Sequence, residues 1–162
     1  MNQLNELATK VKELLEEKNY TLATCESLTC GLIAATLGSV PGVSNVFAGG
    51  LVTYMTHEKH LLAGVKEETL DSYGAVASQT ALEMAQGAAK KLETNCAVSA
   101  TGNAGPSTME GKPAGLVYIG VSVNGKASYK EYHFEGNRQS IREQSACAAL
   151  SDLIEQLQRK DA

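Results

Sequence analysis

Clustered positive charge is missing from this chain. Its 14 lysines and arginines are outnumbered by 18 aspartates and glutamates, for a net charge of -4, and no basic cluster is longer than a pair such as Lys90-Lys91. Binding to a phosphate backbone draws on clustered Lys and Arg, so nucleic acid is not an expected partner. Long apolar runs are missing as well: no segment is long and apolar enough to span a bilayer, so no membrane association is expected. The start, Met1-Asn2-Gln3-Leu4-Asn5-Glu6, has neither the basic residues nor the apolar core of a signal peptide. These absences predict a cytoplasmic protein. No pair among Cys25, Cys30, Cys96 and Cys147 has C-x-x-C spacing, and His57, His60 and His133 have no partner ligands nearby in sequence. Neither a metal site nor a cofactor is therefore expected. The phosphate-binding fingerprints G-x-G-x-x-G and G-x-x-x-x-G-K-[ST] are also absent, as are internal repeats and low-complexity linkers.

What is present is the composition of a soluble globular protein, 43% hydrophobic and 20% charged. A length of 162 residues suits one domain, spanning 1–162. Leu4, Leu7, Ala8, Val11, Leu14 and Leu15 recur on one helix face and predict an amphipathic helix over about residues 3–18. A strand is expected at Thr21–Thr24, a small-residue helix at Leu32–Leu37, a turn at Pro41–Ser44, a strand at Gly50–Tyr54 and a short helix at His57–Ala63. Ser78 is placed as the cap of a helix running to Leu92, with Glu83 early and Lys90-Lys91 late, as the helix dipole favours. A strand follows at Cys96–Ala100. Leu116–Val123 and Ala127–Phe134 flank Asn124-Gly125, a pair suited to a two-residue hairpin turn with positive φ. A last helix is expected over about 138–157. Helices alternating with strands, plus one hairpin, predict an α/β fold: a layered domain with a mixed β-sheet flanked by helices.

Two expected strands run into loops of hydroxyls, glycines and small residues. One enters Cys25-Glu26-Ser27-Leu28-Thr29-Cys30-Gly31, and the other enters Thr101-Gly102-Asn103-Ala104-Gly105-Pro106. Ligands of open α/β sheets collect outside the carboxyl ends of strands, and such loops offer amides and hydroxyls without bulk. A pocket for a small polar ligand is the leading reading, tight turns without function the plain one. If a helix begins after the first loop, its N-terminal amides are expected to favour an anion.

The order of these loops resembles a known family. Glu26-Ser27-x-Thr29-x-Gly31, Phe47-x-Gly49-Gly50-x-Val52-Thr53-Tyr54, Gly74-Ala75-Val76, Thr101-Gly102-x-Ala104-Gly105-Pro106 and Lys112-Pro113-x-Gly115, closing with Phe134-x-Gly136-x-Arg138 and Arg142, resemble the C-terminal domain of the competence/damage-inducible protein CinA. Stand-alone members of that family hydrolyse the carboxamide of nicotinamide mononucleotide to nicotinate mononucleotide and ammonia, recycling pyridine nucleotides. The resemblance implies a metal-free Ser/Lys dyad. Carried over, the nucleophile falls on Ser44 and the base on Lys59, with Tyr54 orienting or relaying a proton. Lysine serves as a base only where burial lowers its pKa. Ser27, Thr29 and Gly31 from the first loop, and Thr101, Gly102 and Gly105 from the second, are the expected substrate contacts. Arg138 and Arg142, one helical turn apart, are the expected phosphate ligands. Ser27 is the rival nucleophile, and a homodimer is the expected assembly for a small α/β enzyme.

The departures from the family fall inside the loops. Cys30 replaces a glycine, Val43 stands in Gly42-Val43-Ser44 where the family commonly has Gly-Ser-Ser, and Asn103 replaces an isoleucine. A glycine-rich stretch becomes Ser107-Thr108-Met109-Glu110-Gly111. Cys30 is expected to resist a positive φ and to narrow the pocket. These changes keep two alternatives open: a nucleotide-binding paralogue with little turnover, and an amidohydrolase acting on another small amide.

Overall fold

The computed structural model describes residues 2–160. Five strands, β1 (Leu22–Glu26), β2 (Phe47–Val52), β3 (Cys96–Gly102), β4 (Leu116–Val123) and β5 (Lys126–His133), form one mixed sheet in the order β2-β1-β3-β4-β5. β2, β1 and β3 are parallel, while β4 and β5 run antiparallel as a hairpin on one side. Six α-helices cover the two faces: α1 (Gln3–Lys18), α2 (Leu32–Gly38), α3 (Thr56–Ala63), α4 (Glu67–Tyr73), α5 (Ser78–Leu92) and α6 (Arg138–Leu157).

Side-chain alternation along the strands sorts the core into two halves. Leu22, Val98, Ala100 and Ile119 join α1, α2 and α6 on one face, and Ala23, Cys25 and Ala97 join Met84, Ala85 and Ala88 of α5 on the other. β1 is buried at every position, as a central parallel strand covered on both faces must be. The helix ends follow local chemistry. The Asn2 side chain accepts from the amide of Asn5 to start α1, and Asn19, at φ 57°, ends it. Asn124 and Gly125 both have positive φ, as the hairpin turn requires.

Several expectations shift. β1 and β3 each end two residues later than expected, which puts Cys25-Glu26 and Thr101-Gly102 in strands and not in the loops. The second strand lies at Phe47–Val52, earlier than the predicted Gly50–Tyr54, because Gly49 and Gly50 stay within the strand instead of starting it. Gly50 is needed there: a Cβ would overlap the Thr24 hydroxyl. The helix α4, which sequence periodicity does not reveal, is tied to α5 through Glu83, which accepts from the Lys66 amide and the Thr69 hydroxyl. Ser78 is the first residue of α5 and not its cap; Ala77 is the N-cap, and the Ser78 hydroxyl donates to Gln79.

The chain leaves β1 for β2 on one side, while β3 lies on the other side of β1. This is a topological switch point, and the carboxyl ends of β1, β2 and β3 open onto the same edge of the sheet. The residues that follow them, Ser27, Thr53-Tyr54 and Asn103, are thereby gathered from distant parts of the chain.

Candidate functional site

Lys59 is the anomaly of this edge. It lies on α3, whose buried residues are Lys59 and Ala63, one helical turn apart, while Leu61 of the same helix is exposed. Lysine is almost never fully buried without a reason, yet Lys59 is 0% exposed. Helix α3 reaches this depth by packing on α5 at Gly87, where a Cβ would overlap the Ala63 carbonyl oxygen.

The Lys59 Nζ donates to the Thr53 carbonyl at 2.7 Å, to the Tyr54 carbonyl at 3.4 Å and to Ser27 Oγ at 3.0 Å. Removal from water pushes its pKa down to about 8, with the nearby Cys25 and Glu110 pulling the other way. Burial pushes the Cys25 thiol up to about 12, so its pull on Lys59 is felt only where the thiol ionises, and at neutral pH no thiolate balances the ammonium. The stereochemistry is selective. Two of the three acceptors are carbonyls, which can only accept, so the proton that Lys59 loses on neutralisation is the one facing Ser27. A neutral Lys59 then presents its lone pair to the Ser27 hydroxyl.

Ser27 is held in place by its neighbours. Its amide donates to the Ala100 carbonyl at 3.0 Å, its carbonyl accepts from Cys30, and the Thr53 amide donates to the Glu26 carbonyl at 2.8 Å. The Glu26 carboxylate accepts from the amides of Ile33 and Ala34, at 2.8 and 2.9 Å. The first-turn amides of α2 are thus taken by the chain's own carboxylate, which corrects the expectation that they favour a bound anion.

The pairing of Ser44 with Lys59 is also corrected. Ser44 is exposed on a single 3₁₀ turn, Val43–Asn45, which precedes β2, whereas Lys59 follows β2. Six strand residues at about 3.3 Å each separate the two ends of β2 by roughly 20 Å. The serine against Lys59 is Ser27.

Beside this pair lies a cavity of about 360 Å³, lined by Ser27, Leu28, Tyr54, Met55, Thr56, Gly102, Asn103, Ala104, Ser107, Met109 and Arg138. Of the expected contacts, Ser27, Tyr54, Gly102 and Arg138 meet here. Arg138 spans the mouth, donating to the Gly105 carbonyl at 2.9 Å and to the Tyr54 hydroxyl. Gly105 takes part through that carbonyl, at φ 77°. The other expected residues have different positions. The Thr101 hydroxyl donates to the Ala75 carbonyl at 2.7 Å on the α5 side of the sheet. Thr29 is buried, with a hydroxyl that has no hydrogen-bond partner among the described residues, and Gly31 serves as the left-handed N-cap of α2. The Arg142 guanidinium is bound to the carbonyls of Leu28 and Thr29.

Both altered loop residues fit their places. Asn103 is buried and bonds the backbone of Met109 and Lys112, fixing the loop that closes one side of the cavity. The same loop is anchored by Glu110, whose carboxylate accepts from the amides of Ala75 and Val76 at 2.7 and 3.1 Å. Desolvation alone would raise its pKa, but those amides and Lys112 outweigh it and hold the carboxyl below the usual range. A Cβ at Gly74 would overlap that carboxylate, so the position has no room for a side chain.

Cys30 does adopt a positive φ, 48°, and its side chain is exposed outside the cavity lining, so it does not narrow the pocket. The left-handed conformation costs a residue with a Cβ on the order of 1 kcal/mol, partly offset by the larger unfolded-state freedom of glycine. Cys30→Gly is therefore expected to stabilise the protein by about 0.5 kcal/mol and to raise its thermal midpoint by roughly 1–2 °C. An unchanged or lowered midpoint in calorimetry would contradict that account.

Sequence reasoning did not select Met55, Thr56 or Met109 for the cavity, nor Gly87 as the seat of α3.

A family model, the CinA C-terminal domain, matches residues 4–157. A competence-damage inducible protein of Clostridioides difficile is 46% identical over 155 residues, 94% of this chain and 37% of its own length. The chain spans a little over a third of the length of the curated relatives it matches. Among solved structures, the competence/damage inducible protein CihA of Agrobacterium tumefaciens superposes with a TM-score of 0.93 at 37% identity, covering 98% of each chain. The competence damage-inducible protein A of Klebsiella pneumoniae gives a TM-score of 0.95 at 29% identity, over 98% of this chain and 99% of that one.

Proposed function

The chain belongs to the CinA C-terminal domain family, and from that premise we propose that it hydrolyses the carboxamide of nicotinamide mononucleotide, with Ser27 as nucleophile and Lys59 as its base. The observation that carries this reading is the fully buried Lys59 ammonium 3.0 Å from Ser27 Oγ, with its other acceptors both carbonyls. Neutral Lys59 takes the hydroxyl proton as Oγ attacks the carboxamide carbon. The resulting Lys59 ammonium returns that proton to the amide nitrogen, the C–N bond breaks, and ammonia leaves. Water then attacks the acyl-Ser27 ester, again giving a proton to Lys59, and Ser27 is regenerated with release of the carboxylate. A pKa near 8 suits this double duty, since the group must both accept and return a proton close to working pH.

The cavity of about 360 Å³ fits a mononucleotide-sized ligand, with Leu28, Met55 and Met109 as apolar walls. Arg138, at the mouth, is the proposed ligand for the 5′-phosphate, exchanging the Tyr54 hydroxyl and Gly105 carbonyl for phosphate oxygens. Tyr54 is the proposed partner that holds Arg138 at the mouth until phosphate replaces it. Asn103 and Cys30 leave the Ser27–Lys59 pair and the cavity beside it unobstructed.

The test is ammonia release from nicotinamide mononucleotide in the presence of a chelator, with nicotinamide and nicotinamide riboside as controls. Turnover of the nucleotide, with much weaker turnover of the two lacking phosphate, is expected. Loss of activity in chelator and its return with zinc would overturn the metal-free dyad. Arg138→Ala is expected to weaken nucleotide binding by about 1.5–3 kcal/mol, the value of a charge-assisted bond. Unchanged calorimetric affinity in that variant would remove Arg138 as the phosphate ligand.

A further inference from the structure

The turn that carries Ser27 is gripped from outside the cavity, and we infer that Arg142 is a positioning residue for the nucleophile and not a ligand for the substrate phosphate. The inference rests on the Ser27–Lys59 reading of the site.

Arg142 donates through Nε to the Leu28 carbonyl at 3.0 Å and through Nη2 to the Thr29 carbonyl at 2.9 Å. Its Nη1 donates to Gln139 Oε1 at 2.8 Å, so all three nitrogens of the fork have partners. The two carbonyls belong to the residues directly after the nucleophile. Arg142 does not line the cavity, whereas Arg138, one turn earlier on α6, does. A phosphate would have to draw Arg142 off two backbone carbonyls and Gln139, whereas Arg138 gives up one backbone carbonyl and the Tyr54 hydroxyl.

The geometry also gives a route from Arg142 to Ser27. In a planar trans peptide the C=O and N–H point in opposite directions. The Thr29 carbonyl on Arg142 therefore turns the Cys30 amide the other way, and that amide donates to the Ser27 carbonyl at 3.0 Å. One peptide unit thus links the α6 guanidinium to the nucleophile's own backbone. The same unit leads into Cys30 at φ 48°, a conformation that surrounding structure must maintain. On the far side, the Glu26 carboxylate fixes the entry to the turn against α2. Lys59 stands on α3 and is independent of this grip. Losing Arg142 lets Ser27 Oγ drift from its base without moving the base.

The test separates positioning from binding with Arg142→Ala, Arg142→Gln and Arg142→Lys. The rate of Ser27 modification by phenylmethanesulfonyl fluoride reports nucleophile alignment without any amide substrate. Nucleotide affinity is measured by calorimetry in the Ser27→Ala background. Arg142→Ala and Arg142→Gln are expected to slow both sulfonylation and kcat by about 10- to 100-fold, the usual loss for a misplacement near 1 Å, with Kd for nicotinamide mononucleotide within about twofold. Arg142→Lys is expected to fall between them and the parent, because one ammonium does not reproduce the fork. A tenfold rise in Kd with unchanged sulfonylation would make Arg142 the phosphate ligand and overturn the inference. Unchanged sulfonylation and unchanged Kd would overturn it too, leaving a passive surface contact. A parent protein that reacts nowhere with the reagent would instead remove Ser27 as an activated nucleophile, and the inference with it.

Discussion

Ser27→Ala is expected to lower ammonia release by at least about 10³-fold, while Ser44→Ala keeps the parent rate within about twofold. Removing a nucleophile from a dyad eliminates the covalent route, and losses in such units are large. Ser27 is 6% exposed, touches Lys59 Nζ at 3.0 Å and lines the cavity. Ser44 is exposed at the opposite end of β2, where substitutions usually shift stability by no more than about 0.5 kcal/mol. Nucleotide affinity of Ser27→Ala is expected to stay near that of the parent, because Arg138 and the apolar walls remain. The deciding outcome is the reverse pattern: a dead Ser44→Ala with an active Ser27→Ala would return the nucleophile to the 3₁₀ turn.

Activity is expected to rise with pH through about 8 and then level off, as Lys59 loses its proton. Lys59→Arg is expected to be inactive at every pH from 6 to 10, since a guanidinium stays protonated and offers no lone pair. The same pKa has a consequence for stability. The folded value, about 8, lies below the ordinary 10.5, so between those limits the unfolded chain holds more protons than the folded one. Stability therefore rises with pH across that window; the contribution is fully present above the unfolded pKa and is lost as pH falls through about 8. A shift of this size corresponds to about 3 kcal/mol. Lys59→Met has no proton to exchange there. Its stability relative to the parent is expected to be about 3 kcal/mol better at pH 7 than at pH 10.5, whatever the packing cost common to both. Urea unfolding of the two proteins at both pH values measures the difference. Equal slopes would show that Lys59 titrates normally, and the neutral-lysine mechanism would go with it.

Much of this architecture was legible in local pattern. The apolar positions of α1, from Ala8 to Leu15, repeat at helix spacing because one face is buried. Asn124-Gly125 marks the hairpin because few other pairs take two positive φ values cheaply. Both hydroxyl- and glycine-bearing loops announce themselves by following apolar runs, and both end at the cavity. The departures Cys30 and Asn103 were visible as substitutions, but their effects were not. Whether a Cβ at position 30 blocks a pocket depends on where that side chain points, and the amide of Asn103 had to find Met109 and Lys112.

By itself, then, the sequence determined the elements, the α/β class and the two loops, because helix period, strand burial and turn chemistry act over a few residues. Only the tertiary structure decided which serine meets Lys59. Parallel β1 and β2 send the turn after β1 and the helix after β2 to one edge of the sheet, and leave the turn before β2 at the other. It also decided that Lys59 is buried, because α3 sinks against α5 only where Gly87 removes a side chain. And it divided two arginines one helical turn apart: Arg138 reaches the cavity mouth, while Arg142 is taken up by the carbonyls of the nucleophile's own turn. Strand direction, helix docking and the choice of acceptor all join residues far apart in the chain, where spacing in sequence carries no information.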